Sequence, residues 1–112
     1  EQRKMIEENI ALSEKYAKEA IEIDENNFQA WQKLGLLYEN INFLNEEKTE
    51  DIIYNYQKAK QLAPQNYDIY YALGRTYEES GKRDLALEEY KKAIELNPND
   101  SELLNKIKTW ED

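Results

Sequence analysis

The sequence contains no cysteine and no histidine. Without thiols there is no disulfide framework, no thiolate nucleophile and no thiolate metal site. Without imidazole, the usual general base and the commonest transition-metal ligand are missing. Three glycines and two prolines in 112 residues make every backbone break informative. No apolar run approaches the roughly 20 residues of a membrane-spanning helix, and no signal peptide is visible. The first residue is Glu1 rather than Met, which leaves a longer parent protein open.

What is present is charge and tyrosine. Charged residues make up 35% of the chain, its formal net charge is −9, and it holds nine Tyr. An acidic surface repels phosphate backbones and anionic lipid, which argues against nucleic acid and favours a basic partner. The length suits one domain with a modest core.

The stretch from Tyr67 to Asp100 organises the rest. Tyr70, Leu73 and Tyr77 recur at helical spacing, with Gly74 on the same face, where the missing side chain admits another helix. Ser80-Gly81-Lys82 is a turn, with Gly81 able to take the positive φ that stops a helix. A second helix follows with Leu85, Ala86, Tyr90, Ala93, Ile94 and Leu96, and Pro98 ends it. Ala86 and Ala93 share one face and are expected to receive Gly74.

This stretch resembles the tetratricopeptide repeat, a helix-turn-helix unit of 34 residues. Tyr70, Leu73, Gly74, Tyr77, Ala86, Tyr90, Ala93 and Pro98 hold that family's places at its spacings. The resemblance implies an all-α right-handed superhelix, a tetratricopeptide solenoid of about two and a half repeats with a C-terminal capping helix.

Residues 1–27 read as one long helix, with Ile6, Ile10, Ala17, Ala20, Ile21 and Ile23 along one side. Its second half parallels the end of the organising stretch, with Ala20 in the place of Ala93. No matching first helix is visible. Either the N-terminal extension substitutes for it, or the chain is cut inside a longer array. Residues 28–66 read as a repeat, with a helix capped by Asn27 from Phe28 to about Asn40 that carries Trp31, Leu34, Gly35 and Tyr38. A second helix carries Ile52, Tyr56 and Ala59. The two Leu-Gly pairs are 39 residues apart, whereas Ala59 and Ala93 are 34 apart. The five extra residues are therefore expected in an expanded turn over 39–51, with Phe43 and Leu44 tucked over the end of the helix pair. Ile52 stands where a small residue should face Gly35, so that pair should pack wider. Residues 101–112 form a capping helix, with Trp110 covering the end of the core.

No catalytic constellation emerges. The carboxylate pairs Glu7-Glu8, Glu78-Glu79 and Glu88-Glu89 are adjacent and diverge by about 100° around a helix. The acidic run from Glu46 to Asp51 lacks the alternating ligands and central Gly of a calcium loop. Lys82 and Arg83 form too small a basic patch for a polyanion. The expectation is a non-enzymatic chain with no catalytic residues, no metal site, no cofactor and no membrane insertion.

By the resemblance, the exposed faces of the first helices line a concave groove that holds a peptide or partner helix. Gln29, Gln32, Leu36 and Glu39 face it in one repeat, Asp68, Tyr71, Arg75 and Glu78 in the next, and Asn105 follows from the cap. Tyr71 beside Arg75 is an aromatic plate next to a cation, a pairing enriched at binding hot spots. The carboxylate clamp of chaperone-binding members is missing, because Gln32, Lys33, Leu36, Asp68 and Ala72 occupy its places. The function implied is a protein–protein interaction module. The alternatives are self-assembly through the N-terminal helix, or a soluble accessory domain of a larger bacterial membrane protein that handles glycans.

Overall fold

The computed structural model describes residues 1–45 and 47–111, with the side chains of 43–45 left aside. Six helices follow one another: α1 (Gln2–Ile23), α2 (Phe28–Asn45), α3 (Thr49–Leu62), α4 (Tyr67–Glu79), α5 (Arg83–Leu96) and α6 (Ser101–Glu111). No strand occurs among the described residues. The chain divides into two compact units, Glu1–Leu62 and Ala63–Asp112. Within the first, α2 packs against both α1 and α3; within the second, α5 packs against both α4 and α6.

Polar side chains start these helices by satisfying backbone N–H groups that have no partner within the helix. Asn27 accepts from the Ala30 amide, Asn66 from the Asp68 amide and Asp100 from the Leu103 amide. Gly81 takes φ 78°, and the Lys82 amide returns to the Tyr77 carbonyl at 2.9 Å. This is the left-handed cap expected of glycine at a helix C-terminus.

The core of the second unit is built by Ile69, Tyr70, Leu73, Tyr77, Ala86, Tyr90, Ala93, Leu103 and Ile107, all buried. Gly74 does not receive the alanines. A Cβ at Gly74 would lie 2.4 Å from the Tyr90 ring, so the glycine is the floor on which that ring rests. In the first unit Gly35 plays the same part for Tyr56, with a nearest distance of 2.9 Å.

The expanded turn is not observed. α2 is 18 residues long and α4 is 13, while α3 and α5 are each 14. The five extra residues therefore lengthen α2 by roughly one and a half turns. No Gly or Pro occurs between Leu36 and Ala63, so nothing in the sequence stops the helix at Asn40. Instead Asn42 holds the connection, accepting from the Lys48 amide at 2.8 Å. The expected tucking of Phe43 and Leu44 concerns side chains outside the described set. In α1 no residue is fully buried; Ile10, Ala17, Ala20 and Ile21 are half-buried, but Ile6 and Ile23 are exposed.

Candidate partner-binding site

Two hairpins, α2–α3 and α4–α5, repeat one local chemistry. The ring on each glycine ends in a hydroxyl that donates to a glutamate four residues past that glycine. Tyr90 donates to Glu78 at 2.7 Å, and Tyr56 donates to Glu39. A hydrogen bond to a carboxylate contributes about 1–3 kcal/mol, and here each ties the two helices of a hairpin together. Burial and the Glu78 hydrogen bond push the Tyr90 phenol pKa far up. Glu78 is partly desolvated, but its bonds to Tyr90 and Lys106 outweigh that and hold its carboxyl below the usual range. Lys106 of α6 reaches the same carboxylate at 3.0 Å. Two expected groove residues, Glu39 and Glu78, are thus also struts of the fold.

Elsewhere the same tyrosine–carboxylate bond recurs. The Tyr67 hydroxyl donates to Asp100, which lowers the Asp100 pKa, and burial together with this bond raises that of Tyr67. Tyr38 donates to Glu14 at 2.5 Å. The bond holds the Glu14 carboxyl low, while burial and Glu14 push Tyr38 up.

In the second unit the rings continue into one run. Tyr67 lies 5.7 Å from Tyr71, Tyr71 5.6 Å from Tyr90, and Tyr90 5.7 Å from Trp110, centroid to centroid. Cations lie over them, with Arg75 at 5.6 Å from Tyr71, Lys106 at 5.4 Å from Tyr90 and Arg83 at 4.8 Å from Trp110. These distances suit ring–ring and cation–π attraction. Tyr71, Arg75 and Trp110 are half-exposed, so the run has a solvent side.

The expected site residues fall as follows. Asp68 is exposed, and Tyr71, Arg75 and Glu78 join the aromatic run on one face of α4. Asn105 is exposed on α6, apart from the run, and its carbonyl accepts from Thr109. On α2, Gln29 and Leu36 are exposed and Gln32 and Glu39 half-buried. Sequence reasoning missed Tyr67, Lys106 and Trp110 as parts of this surface, and the buried Tyr90 ring as its floor. The i, i+4 spacing of Lys106 and Trp110, the same as that of Tyr71 and Arg75, was the available signal. Trp110 lies against the buried core ring of Tyr90, and Arg83 lies over the Trp110 ring. No group of acidic residues able to hold a metal ion, and no helix long and apolar enough to cross a membrane, occurs among the described residues.

A chain of paired antiparallel helices with a glycine-seated ring in each hairpin is a helical-hairpin repeat protein. The family model for the tetratricopeptide repeat matches residues 67–100. Among solved structures, the chain is similar to YrrB, "a TPR protein with an unusual peptide-binding site", at 26% identity and a TM-score of 0.73. That match covers 93% of this chain and 51% of the other, so the chain spans about half of YrrB's length. MamA matches at 23% identity and a TM-score of 0.53, over 94% of this chain and 78% of the other. No curated protein matches. Residues 67–100 are a tetratricopeptide repeat, and the chain has the fold of tetratricopeptide-repeat proteins. That fold supports a protein–protein interaction module, of a kind that is generally non-catalytic.

Proposed function

We propose that the chain binds a peptide or partner helix along the outer face of its first helices, without catalysis. In the second unit that face carries Asp68, Tyr71, Arg75 and Glu78, continued by Asn105; in the first it carries Gln29, Gln32, Leu36 and Glu39. The stack of Tyr71 against Arg75 carries the reading. Both side chains are half-exposed; Tyr71 is held by the Tyr67 and Tyr90 rings and Arg75 lies over Tyr71, so a ligand would meet them with little further loss of side-chain freedom. YrrB, which this chain partly overlaps, is described by its peptide-binding site. The net charge of −9 favours a basic ligand by long-range attraction.

A peptide-display selection on the wild-type chain tests this. Selected peptides should lose about tenfold in affinity on Arg75→Ala, consistent with removal of a hot-spot residue, while the circular dichroism spectrum stays unchanged. Peptides that bind wild type and Arg75→Ala equally would move the site off this face.

A further inference from the structure

A complete repeat in this chain holds its first helix in a defined seat. α4 occupies that seat against α5 and α6. The Tyr67 hydroxyl donates to Asp100, Glu78 meets both Tyr90 and Lys106, and Gly74 lies under the Tyr90 ring. The register that places Ala20 with Ala93 also places Ser13, Ala17, Asn27 and Lys33 with Ala86, Tyr90, Asp100 and Lys106. In the first unit these five residues help line a hollow of about 360 Å³ between α1 and α2. Beside it, Tyr16 is 59% exposed. Among the described residues Lys33 has no carboxylate partner, unlike Lys106.

We propose that this hollow seats an amphipathic helix supplied by a different protein. The helix runs antiparallel to α1, as α4 does to α5. It places a carboxylate at Lys33 and a hydrogen-bond acceptor at the Asn27 amide, whose Oδ1 already accepts from Ala30 and whose Nδ2 is the group left to donate. Where α4 carries Gly74 it carries a bulky apolar residue, because Ala17 stands in place of the Tyr90 ring and leaves that volume open.

Two features argue against a repeat-type hairpin and against a second copy as the source. In the complete repeat the first helix turns into the second at Ser80–Lys82, and the matching residues of α1, Glu7 to Asn9, are helical. α1 runs on to Gln2, about 8 Å beyond that point, so no repeat-type hairpin delivers a helix to the seat from the N-terminal side. Nor does a second copy offer a suitable first helix. α2 and α4 are already paired with α3 and α5, and α6 presents Lys108 and Glu111 in the register of Gly74 and Tyr77.

The probe is a labelled synthetic peptide of residues 66–81 carrying Gly74→Leu, titrated with the full chain and followed by fluorescence anisotropy. Saturable one-to-one binding is expected, about tenfold tighter than for the peptide that keeps Gly74, since several methylene equivalents are buried. Ala17→Lys in the chain should weaken it by about tenfold or more, because a charge is then forced into the seat. Lys33→Glu should weaken binding by about threefold, the scale of a partly exposed ion pair, and Glu78→Lys in the peptide should restore it. The charge exchange gives the same reading if Ala17→Lys fails to fold by circular dichroism. Absence of saturable binding overturns the proposal, as does binding indifferent to both Ala17→Lys and the charge exchange. A chain that sediments as a dimer dissolved by Tyr16→Lys assigns the seat to a second copy and overturns the choice of a different protein.

Discussion

The hairpins α2–α3 and α4–α5 use the same three residue types, glycine, tyrosine and glutamate, yet differ in how closely the ring sits on the glycine. At Gly74 an added Cβ would meet Tyr90 Cδ1 and Cε1 at 2.4 Å and the ring root Cγ at 3.0 Å. At Gly35 the nearest atoms are Tyr56 Cε1 at 2.9 Å and Cδ1 at 3.0 Å. One turn before each ring stands a fully buried residue, Ala86 in the tighter pair and Ile52 in the looser one. The looser seat of the ring goes with the larger neighbour, although the residue that faces Gly35 is Tyr56 and not Ile52. A shared motif thus sets which residues touch, while a neighbouring side chain sets how hard they press.

Substitutions at the two glycines break the comparison most sharply. Gly74→Ala should destabilise by about 2–3 kcal/mol, the range of overpacked cores, because the ring is met at its root and cannot swing clear. Gly35→Ala should fall within about 1 kcal/mol of neutral, because the gain in helix propensity offsets a milder contact. Urea unfolding of both variants measures the difference, and equal costs would sink the account. If bulk at position 86 sets the spacing, Ala86→Ile should relieve Gly74→Ala. The double variant would then cost less than the two singles added together.

The next effect concerns the hydroxyls. Tyr90→Phe should cost about 1–2 kcal/mol with little change in the denaturant dependence of unfolding, since the ring stays and only the bond to Glu78 is lost. A cost near zero would mean that Lys106 alone satisfies Glu78.

The smallest effect is acid sensitivity. Glu78 and Asp100 in the second unit, and Glu14 in the first, have folded pKa values below the ordinary carboxylate range. Unfolding raises their proton affinity, so they stabilise the fold above about pH 4.5 and lose that contribution as pH falls through their lowered values. With two such groups against one, amide exchange in the second unit should accelerate more steeply between about pH 5 and pH 3 than in the first, once intrinsic exchange is corrected for. A steeper acceleration in the first unit would contradict this assignment.

Much of the fold could be read along the chain because its determinants are local. Helical spacing marked Tyr70, Leu73 and Tyr77, Gly81 marked a turn, and Asn27, Asn66 and Asp100 occupy the starts of helices. The site was half legible. The i, i+4 relation of Tyr71 and Arg75 lies on one helix, whereas Tyr90 and Trp110 join their run from two others. Extra length within 28–66 was also evident, but not its form. A turn and a longer helix add the same number of residues, and the difference rests on the absence of a helix breaker after Leu36 together with the cap that Asn42 supplies.

The order of residues by itself determined an acidic, helical repeat chain without thiols or imidazoles, because composition and periodicity act within a few turns of backbone. Only the tertiary structure decided that Gly35 and Gly74 each carry a tyrosine ring rather than a small residue. It also decided that Glu39 and Glu78 brace hairpins, and that α1 and α2 leave a hollow where the complete repeat holds a helix. Each of these depends on which side chains meet across separate helices, and that is set by packing distance rather than by spacing along the chain.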